Sequence, residues 1–285
     1  MHQLILERSK TIHDPAGRNV RILEESSAIE ISTRFGCTLR AVHEAALKVG
    51  SCPCRYLRNR ETISGEEQLR LLKSCVAVVG SGGLGGQVLL LLARMGIGRL
   101  MVVDHDRFDE TNLNRQALSS VRDLGRPKCE VAARVLENVN PGVMVKTHQI
   151  RMDAANAKEI LAGVDVIVDA LDNVPDRFTI QDTARSLKIP LVHGAVAGFE
   201  GQLMTIFPED TGLALLYGTG DGERHPEKSP EALLGVPAVT PSLVATLQAM
   251  EVIKVLLNRG RPFRNVMVHV DLETGEMNRF SFDGK

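Results

Sequence analysis

The distribution of hydrophobic and polar residues divides the chain into two parts of different character. Over 22–50 the apolar residues recur at helical spacing, with a break around Gly36, and a polar helix is predicted over 65–73. From Cys75 onward, short runs rich in valine and isoleucine alternate with helical patterns, which is typical of βαβ units. The second part is therefore predicted to be an α/β domain.

The pattern of the second part also predicts how its strands pair. Strands are predicted over 75–79, 99–104, 143–148, 165–169, 190–195, 201–207, 265–270 and 277–282, and helices over 84–95, 127–138, 154–161, 175–187 and 241–257. Strands that alternate with helices predict a doubly wound, mainly parallel Rossmann-like sheet, and the last strands predict an antiparallel end. Residues 208–240 are rich in glycine, proline and charge, which predicts a flexible crossover loop.

We divide the chain into a small helical N-terminal appendage over 1–54 and the α/β domain over 55–285. Residues 28–46 have the rhythm of a helix-turn-helix unit, with Gly36 at the turn. Residues 1–60 contain ten Lys and Arg against six Asp and Glu, which is a weak basic excess. We therefore interpret the appendage as a packing module, or as part of a dimer or carrier contact, rather than as a DNA-binding unit.

The overall composition excludes several classes of protein. Hydrophobic residues make up 44% of the chain and charged residues 24%, which are ordinary values for a globular protein. Lys and Arg total 34 against 35 Asp and Glu, and this balance argues against a chain-wide surface for nucleic acid or membrane. No signal peptide is evident, and the apolar stretches read as too short to span a membrane. We expect a cytoplasmic protein with neither a membrane nor a nucleic-acid partner.

The cysteines all lie in the first 129 residues of the chain. They are Cys37, Cys52, Cys54, Cys75 and Cys129. Their low, odd number argues against a disulfide framework and favours a reducing compartment. Cys52 and Cys54 have no second pair at matching spacing, so we interpret them as incidental linker residues rather than a metal or redox site. Cys75 and Cys129 are predicted to be packing residues.

A glycine-rich loop follows the first predicted strand of the α/β domain. Gly80, Gly82 and Gly85 satisfy G-x-G-x-x-G between a strand and a helix, where the helix N-terminus can bind a phosphate, and Gly83 adds a further small residue. Asp104 ends the second predicted strand, where a carboxylate can accept hydrogen bonds from ribose hydroxyls. The motif predicts a nucleotide site without separating NAD, FAD and ATP, and its alternative is a tight turn without a ligand.

Charged residues near this loop favour chemistry on a phosphoryl group. Arg115 and Lys128 are two fixed cations that follow the carboxylates of Asp104 and Asp106. Such cations stabilise negative charge that builds up on a phosphate, and a dehydrogenase has little use for them. The alternative for each is a solvated surface charge.

A second polar cluster, Asp172 and Asn173, follows the strand that ends at Asp169. The carboxyl ends of strands form ligand crevices in open α/β sheets. A lone carboxylate there is a good ligand for Mg²⁺, because magnesium keeps most of its waters. Asp172 is therefore the predicted magnesium ligand.

Together these motifs resemble the ThiF/MoeB/HesA group, the bacterial relatives of the ubiquitin-activating enzymes. The resemblance covers most of the chain, from about residue 55 to 282. The motifs that carry it are GSGGLGG, VVDHDRFDETNLNRQ, GRPK, DVIVDALDN, HGAVAGFEGQ and LQAMEVIK. It implies that the protein uses MgATP to adenylate the carboxyl terminus of another protein, usually the Gly-Gly tail of a small ubiquitin-like sulfur carrier.

The resemblance also implies roles for individual residues. Asp104 would hold the ribose, Arg115 and Lys128 would contact the phosphates, and Asp172 would coordinate Mg²⁺. The remaining cofactor-binding positions would be Gly80, Gly82, Gly83, Gly85, Asp106, Asn112, Gln116 and Asn173. Arg58 matches an arginine that the family sends across a dimer interface to the partner's ATP, so a homodimer is expected.

Two features of this family are missing from the sequence. Its paired C-x-x-C zinc motifs are absent, so no zinc is expected. No cysteine follows Cys129, so the crossover loop lacks the thiol that some relatives use, and the reaction is predicted to stop at the acyl-adenylate. The alternatives left open are a tRNA-modifying dehydratase of the same superfamily, an NAD-dependent oxidoreductase, and a nucleotide-binding scaffold without turnover. The pathway, for example molybdopterin or thiamin biosynthesis, stays open as well.

Overall fold

The computed structural model describes residues 1–218 and 229–282, and its N-terminal part combines three helices with a small sheet. These elements are α1 (His2–Arg8), β1 (Lys10–His13), β2 (Asn19–Leu23), α2 (Glu25–Phe35), α3 (Leu39–Lys48) and β3 (Cys52–Pro53). The helix-turn-helix rhythm is confirmed, because Gly36 ends α2 in the left-handed conformation and the Thr38 side chain caps α3. The strands were not expected: Ile22 pairs with Lys10 and Cys52 instead of starting a helix.

The α/β part is built around an eight-stranded sheet with helices on both faces. Its strands are β4 (Cys75–Val79), β5 (Arg99–Val103), β6 (Met144–His148), β7 (Val166–Asp169), β8 (Leu191–Ala197), β9 (Glu200–Ile206), β10 (Val266–Asp271) and β11 (Glu276–Ser281). Its helices are α4 (Gly65–Lys73), α5 (Gly83–Met95), α6 (Lys128–Val139), α7 (Ala157–Ile160), α8 (Val174–Leu187), α9 (Ala214–Tyr217), α10 (Pro230–Leu234) and α11 (Val239–Leu257).

The strand order is β11-β10-β9-β8-β7-β4-β5-β6. Strands β4 to β8 pair in parallel with one another, whereas β9, β10 and β11 pair antiparallel. The predicted doubly wound sheet with an antiparallel end is therefore confirmed. The chain leaves β4 for β5 on one side and later returns to β7 on the other, which opens a crevice at the carboxyl ends of these strands.

Two apolar clusters cover the two faces of this sheet. Val76 and Val78 of β4 pack in the cluster that contains the apolar residues of α5 and α11. Ala77 and Val79 belong to the opposite cluster, with Ile180 of α8. Successive residues of a strand point to opposite faces, and strands covered on both faces are apolar throughout, as the sequence of β4 is.

Helix α11 corrects one expectation from the sequence. It is long and apolar enough to cross a membrane, with a mean hydropathy of 1.3 over an 18-residue window. However, 56% of that window is buried inside the protein, so the apolar residues are explained by packing in the core. Glycines in β8 and β9 permit this close approach, since a Cβ on Gly194 would lie 2.5 Å from Gln248 Cδ and one on Gly201 2.3 Å from Val244 Cγ2.

Arg55 holds the N-terminal part against the α/β part. Its guanidinium donates to both carboxylate oxygens of Glu25, at 2.8 and 3.1 Å, and to the carbonyl of Val139 at 3.2 Å. Beside this contact the ring of His43 is buried against Gly142, and burial lowers the pKa of His43 from 6.5 to about 4. The junction between the two parts therefore combines a bidentate ion pair with a neutral buried histidine.

Candidate functional site

A cavity of about 720 Å³ lies at the carboxyl ends of β4, β5 and β7. Its volume is in the range of sites for cofactor-sized ligands. The wall brings together most of the residues that the sequence predicted: Gly80, Gly82, Gly83, Asp104, Asp106, Arg115, Gln116, Lys128, Asp172 and Asn173. These residues come from distant parts of the chain, and the sheet topology collects them at one edge.

The glycine loop needs its small residues for two different reasons. Gly80 has a φ of +88°, and a Cβ there would lie 2.6 Å from the carbonyl oxygen of Ala170. A Cβ on Gly85 would lie 1.8 Å from the carbonyl oxygen of Gly80. Gly82 precedes α5 without a side-chain cap, so the amides of the first turn remain available to an anion. Gly85 packs inside the loop and, unlike the prediction for it, does not line the cavity.

Asp104 anchors the glycine loop to β5. Its Oδ2 accepts hydrogen bonds from the Ser81 backbone N–H at 2.7 Å and from the Ser81 hydroxyl at 2.9 Å. Its Oδ1 accepts from the backbone N–H of Asp106 at 2.8 Å. These bonds fix the position of a buried carboxylate at the cavity wall, and one acceptor site, on Oδ1, is left for a ligand.

Arg115 and Lys128 both line the cavity, and each is positioned by nearby oxygens. Lys128 is buried, and its Nζ lies 3.0 Å from Oδ2 of Asp106. Arg115 is half-buried, and its Nη1 donates to the Thr111 carbonyl and to Oδ1 of Asn114, both at 2.9 Å. The two cations therefore share a wall with the glycine loop, where negative charge on a phosphate would be stabilised.

Asp172 presents an exposed carboxylate to the same cavity. Its nearest polar partner among the described residues is the amide of Asn173, at 3.5 Å, and no described cation pairs with it. Asn173 itself caps α8, because its Oδ1 accepts from the Asp176 backbone and its Nδ2 donates to the Asp176 carboxylate, both at 3.0 Å. A carboxylate without a cationic partner is a suitable ligand for Mg²⁺, so Asp172 fits that ion.

A second group of possible metal ligands is less suitable. Asp104, His105 and Asp106 bring three ligand atoms within 4.8 Å of one another. However, Asp104 already accepts hydrogen bonds from Ser81, and Asp106 is paired with Lys128. These carboxylates organise the loop and balance a cation, so Asp172 is the better candidate for a magnesium ligand.

Gln116 and Asn112 differ in their relation to the cavity. Gln116 lines it, and its buried Oε1 has no hydrogen-bond partner in the described structure. A buried acceptor of this kind needs a donor, which the hydroxyl or amino group of a nucleoside would supply. Asn112 does not line the cavity, and its Oδ1 accepts from the Asp109 backbone at 3.2 Å. Asn112 was predicted to line the pocket, but in the structure its side chain stabilises the 109–112 turn instead.

Arg58 lies outside the cavity of its own chain. It is exposed on the short 3₁₀ helix Cys54–Asn59 and has no ion-pair partner among the described residues. An arginine in this position is available to a second molecule, and its predicted contact with a partner's ATP stays a prediction. The predicted crossover loop is described only in part, since residues 219–228 lie outside the described residues.

The thiols of Cys129, Cys52 and Cys75 are poor nucleophiles. Cys129 is buried, donates to the Asp104 carbonyl at 3.2 Å, and has its pKa raised to about 12 by burial. Burial also raises the pKa of Cys52 to about 11. Cys75 is buried in the core. The predicted packing roles of Cys75 and Cys129 are therefore confirmed.

A largely buried network at the cavity wall, which Arg177 helps to line, was not anticipated from the sequence. We call it the Tyr217 network, and its members are Asp169, Arg177, His193, Gln202 and Tyr217. His193 Nδ1 lies 2.7 Å from Asp169 Oδ2, and the Tyr217 hydroxyl contacts His193, Arg177 and Gln202. Burial is the main cause that lowers the pKa of His193. The only feature of the sequence that could have indicated this network is the presence of an aspartate and a histidine, Asp169 and His193, in otherwise apolar strands.

Comparison of the sequence and the fold with known proteins identifies relatives of this chain. A model described as ThiF family matches residues 56–285. The SAMP-activating enzyme E1 of Haloferax volcanii is 40% identical over 220 residues, which cover 76% of this chain and 80% of that protein. The sulfur carrier protein adenylyltransferase of Thermus thermophilus is 39% identical over 218 residues, which cover 73% and 79%. The structure of E. coli MccB with AMPCPP and MccA covers 98% of this chain and 96% of its own, with a TM-score of 0.69 and 19% identity, which shows a shared fold.

Proposed function

The chain belongs to the ThiF family, and from this premise we propose that it uses ATP to adenylate the C-terminal carboxylate of a small ubiquitin-like sulfur-carrier protein. Two of its relatives are named for sulfur-carrier or SAMP activation, and this chain spans about four fifths of each. The observation that carries the proposal is the cavity itself. It combines an uncapped glycine loop, the cations Arg115 and Lys128, and the carboxylate of Asp172, which has no cationic partner among the described residues.

The proposed reaction is a displacement at the α-phosphate of ATP. The carboxylate oxygen of the carrier forms a bond to the α-phosphorus, and the bond from that phosphorus to the bridging oxygen breaks. Pyrophosphate leaves with the electron pair. No general base is needed, because a C-terminal carboxyl group with a pKa of about 3.5 is already ionised at neutral pH. The protein's task is therefore to position the reactants and to stabilise charge.

Each cavity residue has a part in this scheme. The amides at the start of α5 bind phosphate oxygens, and Arg115 and Lys128 stabilise the negative charge of the phosphates as pyrophosphate forms. Asp104 and Gln116 supply acceptors for hydroxyl or amino groups of the nucleoside. Mg²⁺, when bound, supplies positive charge beside the phosphate oxygens, and Asp172 is the residue that would hold it.

The apolar part of the cavity wall is suited to a peptide tail with small side chains. This part of the lining is formed by small or medium apolar residues: Val196, Ala232, Gly235, Val236 and Pro241. A Gly-Gly terminus has no side chains to accommodate, so its backbone can approach the α-phosphate closely. We therefore include a Gly-Gly tail in the proposal.

The proposal ends at the acyl-adenylate. No cysteine follows Cys129 in the sequence, and the thiol of Cys129 is buried with a pKa of about 12. A thiol in that state supplies almost no thiolate at neutral pH, and it is the thiolate that would attack the adenylate. A separate protein must then accept or exchange the activated carboxyl group.

We also propose that the active form is a homodimer. Arg58 is exposed, lacks an ionic partner in the described structure and lies outside the cavity of its own chain. It is therefore suited to reach the ATP of a second protomer. Mixing an Arg58→Ala chain with an Arg115→Ala chain tests this, because one competent site forms only if the arginine acts between protomers. Failure of the mixture to regain activity would contradict the assignment.

The test of the function is isotope exchange between pyrophosphate and ATP. The purified chain should catalyse exchange only with Mg²⁺ and a carrier that ends in Gly-Gly. The matched control is the same carrier with its terminal carboxylate converted to an amide, which cannot attack the phosphate. No exchange with any small Gly-Gly protein from the same genome, together with binding of NAD in preference to ATP, would overturn the proposal. Exchange driven by tRNA would instead identify a tRNA-modifying enzyme.

A further inference from the structure

The Tyr217 network has no assigned role in the proposed reaction, although its Arg177 lines the cavity and donates to the loop that carries Asp172. Three side chains from different elements meet at one hydroxyl. Arg177 Nη1 lies 2.7 Å from Tyr217 Oη, Gln202 Nε2 lies 2.6 Å from it, and His193 Nε2 lies 3.1 Å from it. A single oxygen thus joins α8, β8 and β9 to the last residue of α9.

The chemistry of these groups determines the direction of every hydrogen bond. Arg177 and the amide nitrogen of Gln202 can only donate, so the Tyr217 oxygen accepts from both. The hydroxyl proton must then point to His193 Nε2, which is the remaining acceptor. His193 consequently carries its proton on Nδ1 and donates it to Asp169 Oδ2 at 2.7 Å. The network is therefore consistent with a neutral, fully buried His193.

Side chains of the same network form hydrogen bonds with both the backbone N–H and the backbone carbonyl of Leu171, the residue immediately before Asp172. The N–H of Leu171 donates to Asp169 Oδ1 at 3.0 Å. The carbonyl of Leu171 accepts from Arg177 Nη2 at 2.6 Å. Because both groups are bound by buried side chains, the position of the next residue depends on the network rather than on the loop alone.

We propose that Tyr217 is a positioning residue that holds the Asp172 carboxylate in place for Mg²⁺ by orienting Arg177 against the Leu171 carbonyl. The inference rests on the proposed function, because it takes Asp172 as the magnesium ligand. Arg177 is almost completely buried, and its other close charged neighbours are the carboxylates of Asp169 and Glu231, each at 3.9 Å. Without the Tyr217 hydroxyl, one arm of the guanidinium loses its short hydrogen bond and is free to turn towards these carboxylates.

The chain offers a matched pair of substitutions, because it contains two tyrosines. Tyr217→Phe removes one oxygen and keeps the ring. Tyr56→Phe makes the same change at the N-terminal junction, where the hydroxyl accepts from Asn140 Nδ2 at 2.9 Å, far from the cavity wall. Both variants lose a buried hydrogen bond, so a general loss of stability affects both.

The measurement is calorimetric binding of a non-hydrolysable ATP analogue over a series of Mg²⁺ concentrations. For Tyr217→Phe we expect the Mg²⁺ concentration at half-saturation to rise about tenfold, which corresponds to about 1.4 kcal/mol, the net value of one hydrogen bond. For Tyr56→Phe we expect no change. In an Asp172→Asn background the effect of Tyr217→Phe should disappear, because the carboxylate through which it acts is gone.

Equal Mg²⁺ dependence in the two tyrosine variants would overturn the inference and leave the proposed function intact. Absence of Mg²⁺-dependent nucleotide binding in the unaltered protein would overturn the proposed function, and the inference with it. If Tyr217→Phe does not fold, Gln202→Met removes only one of the three contacts of the hydroxyl. That variant should show a smaller shift in the same direction, and no shift would contradict the inference.

Discussion

Replacement of Gly85 by alanine separates the packing of the glycine loop from direct contact with a ligand. The new Cβ would lie 1.8 Å from the carbonyl oxygen of Gly80 and 2.8 Å from its carbonyl carbon. A relaxed carbon–oxygen contact is about 3.3 Å, so the start of α5 and the loop must separate by about 1.5 Å. Both contacted atoms are backbone, and no rotation of a side chain relieves the overlap.

The expected cost follows from this geometry. Overpacking of a core costs about 1–3 kcal/mol where side chains can adjust, and here the backbone must move, so we expect about 3 kcal/mol. For a chain of 285 residues that corresponds to a decrease in Tm of about 5 °C. Nucleotide binding should weaken as well, because the amides at the start of α5 move away from the phosphate position.

The adjacent Gly86 supplies the control, since it lies in the same helix. A Cβ there would lie 3.3 Å from Cγ of the buried Leu118 and 3.4 Å from the carbonyl oxygen of Ser81, so these neighbours need to move by only a few tenths of an ångström. Alanine is also a better helix former than glycine by about 1 kcal/mol, so Gly86→Ala should keep or raise the stability. Unfolding in denaturant and binding of an ATP analogue measure both variants. Equal stability and equal binding for Gly85→Ala and Gly86→Ala would refute the packing explanation.

Three further predictions concern charge and burial. Arg115→Ala should lower ATP–pyrophosphate exchange at least about 100-fold while the fold persists. Arg107→Ala, in the same loop but outside the cavity wall, should keep full activity, and equal loss in both variants would contradict the role of Arg115. Because burial lowers the pKa of His43 from 6.5 to about 4, the unfolded chain takes up a proton first, and the free energy of unfolding should fall as the pH decreases from 6.5 to 4. The fall should approach about 3 kcal/mol and should be missing in His43→Leu, as denaturant titrations at several pH values can check. Cys129, with a pKa of about 12, should react with a thiol reagent far more slowly than the half-buried Cys37, and similar labelling rates would show that its burial is wrong.

Much of the α/β part could be predicted from the sequence because its signals are local. A buried parallel strand is a short apolar run, and an amphipathic or core helix has its own spacing, so β4, α5 and β7 were placed within a residue or two. The glycine loop was equally evident, because its strand–loop–helix context is continuous in the chain. The cations and carboxylates around it were found by their position after strands.

Other features were missed because neighbouring residues do not specify them. Strands β1 and β2 are short, β1 is largely exposed, and β2 pairs in parallel with β3, which lies some thirty residues later in the chain. Helix α11 was predicted as a helix, but its apolar window was underestimated, because the sequence alone does not show that 56% of this window is buried in the core. Asn112 and Gly85 were assigned to the ligand from their motif positions, although one folds a turn and the other packs against the loop.

The sequence by itself determined the order of the main strands and helices of the α/β part, the glycine loop and the chemical types of the residues around it. These depend on spacing and on the intrinsic properties of side chains over a few residues. Only the tertiary structure decided which of those residues share a wall, which carboxylates already have partners, and that Tyr217 and Arg177 hold the backbone before Asp172. Those properties depend on distances between segments far apart in the chain, and these distances are set by the packing of the whole sheet with its helices.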